Sequence, residues 1–144
     1  MSLDRSQIER VVPHAGAMCL LDAVTQWDET QLTCTCAAPG AEHPLADKGR
    51  VPAVAACEYA AQAIAVHGAL IDALQSPRAG MLASLIDVRL HEAWFPAGDG
   101  EVLVQASLRS RTGDACLYSF EVSAAGVALV DGQLMVAFRA PQPA

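Results

Sequence analysis

Charge is scarce in this chain, and positive charge scarcest. Nine Lys and Arg stand against sixteen Asp and Glu in 144 residues, a net charge of −7, and only 17% of residues are charged. A nucleic-acid binder or a surface-seeking membrane protein needs basic residues gathered on one face or one amphipathic helix, and these nine are scattered. Neither a nucleic acid nor a membrane is an expected partner. The five cysteines, at positions 19, 34, 36, 57 and 116, are odd in number and irregular in spacing, so they give neither a disulfide framework nor a zinc pattern. Cys34-Thr35-Cys36 on a strand would put both thiols on one face beside Leu32, which is packing rather than a metal site. Missing too are a glycine-rich phosphate loop, an internal repeat and a break between domains. No metal or redox cofactor is expected. The first ten residues are charged and carry no apolar signal core, which implies a cytoplasmic protein.

What the chain has in quantity is small apolar residues: 53% of it is hydrophobic, well above ordinary globular usage. At this length residues 1–144 make one domain, small for an enzyme that must enclose a greasy substrate alone. A partner subunit covering part of the apolar surface is the natural remedy.

The hydrophobicity is concentrated in residues 43–74. After Pro52, a start signal, the chain is free of Pro and interrupted by Gly only at Gly68, which predicts one helix from Ala53 of roughly 30 Å. Val54, Ala55, Ala56, Cys57, Tyr59, Ala60, Ala61, Ala63, Ile64, Ala65 and Val66 leave it almost no polar face, so the helix should be buried. The helix is expected to be too short to span a membrane, and too interrupted, because Glu58, Gln62 and His67 fall inside the apolar run. Glu58 and Gln62, four apart, share a face and can hydrogen-bond; His67 lies about 180° from Glu58 and belongs elsewhere. A buried carboxylate must be paired or neutral, so Glu58 is either locked in a structural network or held for proton chemistry.

Just before the helix, His43 sits in a loop with Pro44, Gly49 and Pro52, the composition of a fixed irregular turn. A base and an acid thus flank one helix start. Here the sequence resembles the hotdog-fold 3-hydroxyacyl-thioester dehydratases of the fatty-acid type, which carry a His loop, then Pro-Gly, then Glu-Ala-x-Ala-Gln on the helix. This chain has His43, Pro52-Ala53 and Glu58-Tyr59-Ala60-Ala61-Gln62. Val12-Pro13-His14, Leu20-Leu21-Asp22 and Phe95-Pro96-Ala97-Gly98-Asp99 extend the likeness over most of the chain. The Pro-His-Ala-Gly-Ala-Met opening and the Glu-Tyr-x-Ala-Gln-Ala-Ile-Ala run look closest to dehydratase-like proteins of bacterial aryl-polyene pathways. The chain departs from the pattern at Glu42-His43-Pro44-Leu45-Ala46, where the family has Gly-His-Phe-Pro-Gly, and at Ala53, where it has Gly.

The resemblance implies an α+β hotdog fold, an antiparallel sheet wrapped around one long apolar helix. It also implies dehydration of a 3-hydroxyacyl thioester carried on the phosphopantetheine arm of an acyl carrier protein. In that reaction one group takes the proton beside the thioester carbonyl and another protonates the departing hydroxyl. His43 suits the base, and Glu58, its pKa raised among apolar neighbours, suits the acid. The N–H of Ala53 at the helix start would polarise the thioester oxygen, and Gln62 would orient Glu58. In relatives of this type the two groups of one site come from opposite subunits, which implies a homodimer or a hotdog heterodimer. A carrier protein is acidic like this chain, so docking would need a local basic rim, for which Lys48, Arg50, Arg78, Arg109 and Arg111 are available. Two alternatives stay open: a hotdog acyl thioesterase, which would not need His43, and a catalytically idle acyl-binding or partner subunit.

The remaining segments follow from periodicity. Residues 3–12 read as a short helix, 18–25 and 31–37 as a hairpin around Asp28-Glu29-Thr30, and His14 as a turn residue. Residues 81–91 read as a strand with Leu82, Ile86, Val88 and Leu90 on one face and Asp87 and Arg89 on the other. His91 reads as a surface residue and Trp94-Phe95-Pro96 as an aromatic turn that lines an acyl tunnel or plugs the core. Three more strands run to Arg111, over 115–124 and over 127–138, with turns at Thr112-Gly113-Asp114 and Ala125-Gly126 and a bulge at Asp131-Gly132. The Pro-rich tail, 140–144, reads as loose.

Overall fold

The computed structural model describes residues 2–11, 19–71, 81–98, 100–113 and 115–138. The expectations for His14, Arg78, Asp99, Asp114 and the tail lie outside these residues.

The chain opens with a two-residue strand, β1 (Leu3–Asp4), that sequence reading merged into the following helix, α1 (Arg5–Val11). The join is a capping box. The Asp4 carboxylate accepts from the Gln7 backbone N–H at 2.9 Å while the Gln7 side chain accepts from the Asp4 N–H at 2.9 Å. Then come β2 (Ala23–Trp27) and β3 (Gln31–Ala37), a 3₁₀ turn (Ala53–Ala55) leading into α2 (Ala56–Ile71), and four strands: β4 (Met81–Leu90), β5 (Glu101–Thr112), β6 (Ala115–Ala124) and β7 (Val127–Phe138). They form one seven-stranded sheet in the order β1-β2-β3-β5-β6-β7-β4, antiparallel throughout.

Alternation along the strands decides where α2 goes. Leu32, Cys34 and Cys36 of β3, Val102, Val104 and Ala106 of β5, and Tyr118, Phe120 and Val122 of β6 are all buried, and α2 packs on these three strands. The intervening Gln31, Thr33, Gln105, Ser107, Ser119 and Glu121 line a polar groove on the opposite face. Ala56, Ala60 and Ala63 are fully buried, so the helix approaches the sheet closely and a larger side chain there would overpack by ~1–3 kcal/mol. This is the hotdog arrangement. Cys34 and Cys36 fill the core as expected, and burial pushes the Cys36 thiol up to about 12.

Five expectations are corrected. The helix is not enclosed on every side: exposed Val54 and half-buried Ala55, Glu58, Ala61, Ala65 and Ala69 recur every three or four residues as a stripe that the sheet leaves open. The helix is not too short to span a membrane: Ala53–Ile71, 19 residues of mean hydropathy 1.4, is long and apolar enough by length and composition, and its packing against the sheet accounts for its apolarity. The first strand of the predicted hairpin begins only at Ala23, because the Leu20 N–H bonds to the Gln62 side chain instead of a strand neighbour. Opposite Asp131–Gly132 the extra residue lies on β4, and the bulge of β7 falls instead at Leu129, where its pairing with β6 slips. Asp87 takes a left-handed conformation (φ 49°) and the register slips between Ile86 and Arg89. Gly132 permits this, since a Cβ there would stand 3.0 Å from the Val88 Cα. The slip separates Ile86 from Leu90: Ile86 opposes Gln133 of the polar face, whereas Leu90 opposes buried Val130.

Candidate active site

Residues 40–55 are pinned at each step. The His43 N–H donates to the Gly40 carbonyl at 3.0 Å and the Ala46 N–H to the His43 carbonyl at 2.9 Å. Lys48 and Gly49, both at positive φ (52° and 81°), make a two-residue hairpin turn closed by reciprocal Asp47–Arg50 backbone bonds. Residues 51–53 are clamped by 93–95: the Phe95 N–H donates to the Val51 carbonyl and the Ala53 N–H to the Ala93 carbonyl, each at 2.9 Å. The aromatic turn serves the loop and the core at once. Arg50 lies over the Trp94 ring at 3.7 Å, and Phe95, buried, packs on Tyr59 with ring centroids 5.6 Å apart.

That clamp corrects one expectation outright. Ala53 cannot offer its N–H to a thioester oxygen, because the Ala93 carbonyl already holds it. Val54, one residue on, stands in the first turn where amides lack a helical partner, and its N–H has none among the described residues. Val54 is also 54% exposed, so the amide open at this helix start lies one residue further along the chain.

Glu58 and Gln62 meet as their spacing requires, the Gln62 amide nitrogen 3.4 Å from Glu58 Oε1. Gln62 is buried, and its amide has a fixed sense: Oε1 accepts from the Leu20 N–H at 2.9 Å, so the NH₂ must point at Glu58. Glu58 itself is half-buried rather than enclosed, because it lies on the open stripe of α2.

His43 is half-buried, and burial alone holds its pKa below the ordinary 6.5. Its Nδ1 accepts from the Leu45 N–H at 3.1 Å, and its Nε2 lies 3.2 Å from the Tyr59 hydroxyl. The two rings are nearly parallel, 12° apart, with centroids separated by 6.1 Å. Tyr59, almost fully buried, is kept a phenol by desolvation, which raises its pKa. Sequence reading missed Tyr59 because it counted the ring as core. Its position next to Glu58 was the available signal.

His67 and His91 fall where expected. His67 is fully buried at the far end of α2, bonded to Tyr118 and to the Asp28 carbonyl. His91 is at the surface, 2.5 Å from the Asp131 carboxylate.

An antiparallel sheet around one central helix is the hotdog fold, which solved thioester dehydratases and thioesterases share. Within that class the sequence matches the ApeP-like family, described as ApeP dehydratase, over residues 6–143, and the chain belongs to it. No curated protein matches the sequence. Among solved structures, the dehydratase heterocomplex ApeI:P from Xenorhabdus doucetiae superposes with a TM-score of 0.81 at 24% identity, covering 92% of this chain and 91% of that one. A mutant of thioesterase PA1618 from Pseudomonas aeruginosa gives 0.63 at 16% identity, with 94% of each chain covered. An HP0420 homologue from Helicobacter felis gives 0.66 at 12% identity, over 96% of this chain and 92% of that one. These likenesses bear on the fold.

Proposed function

We propose that this protein dehydrates a 3-hydroxyacyl thioester to the 2-enoyl thioester, with Glu58 and His43 as its reacting pair and acyl carrier protein as the vehicle of the acyl chain. The observation that carries the reading is that an otherwise apolar helix keeps one carboxylate, in its first turn, on the stripe the sheet leaves open, held by an amide of fixed sense. A dehydration needs a group there that handles a proton in an apolar cleft, and membership of a dehydratase family supports that use. The Val54 N–H, at the helix start, polarises the thioester oxygen.

A hotdog partner subunit completes the cleft. β4 ends the sheet, and Leu85 and Leu90, which oppose the buried Leu134 and Val130, are 51% and 54% exposed. These two leucines are an apolar edge that a second sheet, joined edge to edge, would cover. In such a pair His43 of one subunit faces Glu58 of the other, whether the partner is a second copy or a related chain. Lys48 and Arg50, exposed beside the His43 loop, are the basic rim for an acidic carrier protein. Arg109 instead points along the polar outer face and donates to Ser119 at 2.8 Å.

The test is mass spectrometry of a 3-hydroxyacyl carrier protein incubated with this protein, alone and after co-expression with a hotdog partner. Loss of one water is expected, and only in part, because hydration of the product is readily reversible. Free acid would mean a thioesterase, and unchanged substrate across several chain lengths an idle partner subunit.

A further inference from the structure

The peptide between Cys19 and Leu20 is held at both of its polar ends, by side chains from two different helices. Its carbonyl accepts from Arg5 Nη2 at 2.7 Å, and its N–H donates to Gln62 Oε1 at 2.9 Å. Arg5 is the first residue of α1, set there by the Asp4–Gln7 capping box, and Gln62 lies on α2. In a planar trans peptide the C=O and the N–H point in opposite directions, so fixing one fixes the other. The Gln62 amide nitrogen in turn stands 3.4 Å from Glu58 Oε1. Guanidinium, peptide, amide and carboxylate thus form one directed line in which each group donates to the next. The cation at its head is anchored as well: Arg5 Nη1 donates to Asp22 Oδ1 at 2.9 Å, and Asp22 Oδ2 accepts from the Ala37 N–H of β3 at 2.8 Å. Cys19, Leu20 and Gln62, in the middle of the line, are buried.

We infer that Arg5 is a positioning residue for Glu58, acting through the Cys19–Leu20 peptide and the Gln62 amide. This rests on the dehydratase reading, because it states how Glu58 is held for that reaction. Gln62 does not choose its own orientation. Turned over, its amide would set its NH₂ against the Leu20 N–H and its oxygen against the Glu58 carboxylate, so the Leu20 N–H is what keeps the NH₂ on Glu58. That N–H aims at α2 only while its peptide plane stays fixed. Leu20 precedes β2, so the sheet ladder does not set this plane. The bond from Arg5 to the Cys19 carbonyl does. The same bond draws charge along the line. A cation on the carbonyl makes the Leu20 N–H a stronger donor, and a stronger bond to Oε1 makes the Gln62 NH₂ a stronger donor to Glu58. Arg5 therefore orients the carboxyl group of Glu58 from the opposite end of the line, out on α1.

Two measurements test this. Amide hydrogen exchange of the folded wild type needs neither a variant nor turnover: the Leu20 N–H should exchange as slowly as the amides of β3 and β5, and exchange at the rate of a solvated loop would overturn the inference. Kinetics of dehydration, with and without a hotdog partner, read the role. Arg5→Met keeps an unbranched stem but no donor, so kcat should fall ~3–10-fold with KM unchanged, and an unchanged kcat would remove Arg5 from the account. In a Gln62→Met background the same substitution should cost less than ~2-fold, because the line is already cut. A merely structural Arg5 would instead multiply its loss with that of Gln62→Met, which would overturn the inference. Glu9→Gln removes the ion pair that Arg5 makes within α1, at 3.2 Å, and leaves the line intact. It should keep kcat within ~2-fold of wild type, and a loss equal to that of Arg5→Met would mean that Arg5 acts through its helix alone. An absence of enoyl product from wild type, with and without a partner, would sink the dehydratase reading itself, and the exchange rate of Leu20 would still decide whether the line exists.

Discussion

The helix α2 carries a histidine–tyrosine pair at each end, and the two pairs are built to opposite purposes. At the far end His67 is fully buried. Its Nε2–H donates to the Asp28 carbonyl at 2.8 Å, and its Nδ1 accepts from the Tyr118 hydroxyl at 2.7 Å. The rings meet edge to face, 86° apart, and both nitrogens are committed to short bonds. At the near end His43 is half-buried, its bonds are 3.1 and 3.2 Å, and the rings lie nearly parallel. In both pairs the proton sits on Nε2. A backbone carbonyl captures it in one; in the other it rests on a hydroxyl beside an open margin. The same residue types make a strut at one end and, in the proposed reaction, a working group at the other, according to what the backbone offers the imidazole.

The largest effect that would sharpen this comparison is on turnover. Glu58→Gln keeps volume and hydrogen bonding near Gln62 but removes the transferable proton, and it should cost ~10²–10⁴-fold in dehydration rate while the protein stays folded. Adding His43→Ala should make matters little worse than Glu58→Gln alone, because groups that serve one transition state lose most of their joint effect together. A fully multiplicative loss would mean that the two residues act apart.

Next comes stability, where the ends should exchange rank. His67→Ala opens a cavity and removes the short bonds to the Asp28 carbonyl and the Tyr118 hydroxyl, so we expect a loss of ~3 kcal/mol in urea unfolding. His43→Ala, whose partners can reach water, should cost less than ~1 kcal/mol. Equal losses would break the distinction between strut and working group.

Much of this was legible in the sequence, in different ways at different ranges. Alternation placed β3, β5, β6 and β7 correctly, and the apolar run with its Pro52 start located the central helix. Four-residue spacing was enough to join Glu58 to Gln62. What failed depended on contacts distant in sequence. The Ala53 N–H was lost to Ala93, forty residues away, because 93–95 pairs with 51–53. The face of Leu90 was misread because one left-handed residue, Asp87, shifts the alternation, and Gly132 on β7 is what permits it. The start of β2 moved because Gln62 takes the Leu20 N–H. Even the tautomer of His43 turns on an amide two residues along, which no side-chain pattern displays.

A smaller effect separates the tyrosines. Tyr118→Phe leaves His67 Nδ1 buried without its donor and should cost ~1–2 kcal/mol in stability. Tyr59→Phe removes only an acceptor from a half-exposed ring, and in unfolding it should be within ~0.5–1 kcal/mol of wild type. Comparable unfolding midpoints for the two variants would mean that His67 is not held as tightly as its bond lengths indicate.

The smallest expected effect is a slope. Burial is the leading cause that holds His67 below its ordinary 6.5, ahead of the opposing influence of Asp28, so the folded protein binds this proton less readily than the unfolded chain does. The stability that follows is fully present above 6.5, and it drains away as pH falls from there toward the lower folded value. His43, shifted the same way but nearer to water, adds to the same window. Asp28 does not interfere. Backbone N–H bonds from Thr30 and Gln31 lower its pKa below 3.8, so its own loss begins only under that pH. Glutamine at position 67 can donate to the Asp28 carbonyl and accept from Tyr118 without titrating. In His67→Gln the urea midpoint should therefore fall less steeply between pH 7 and pH 5 than in wild type. The same substitution at His43 should flatten the slope less, because that ring is closer to solvent. A slope that His67→Gln leaves unchanged would show that His67 does take up a proton in the folded state, which its two committed bonds forbid.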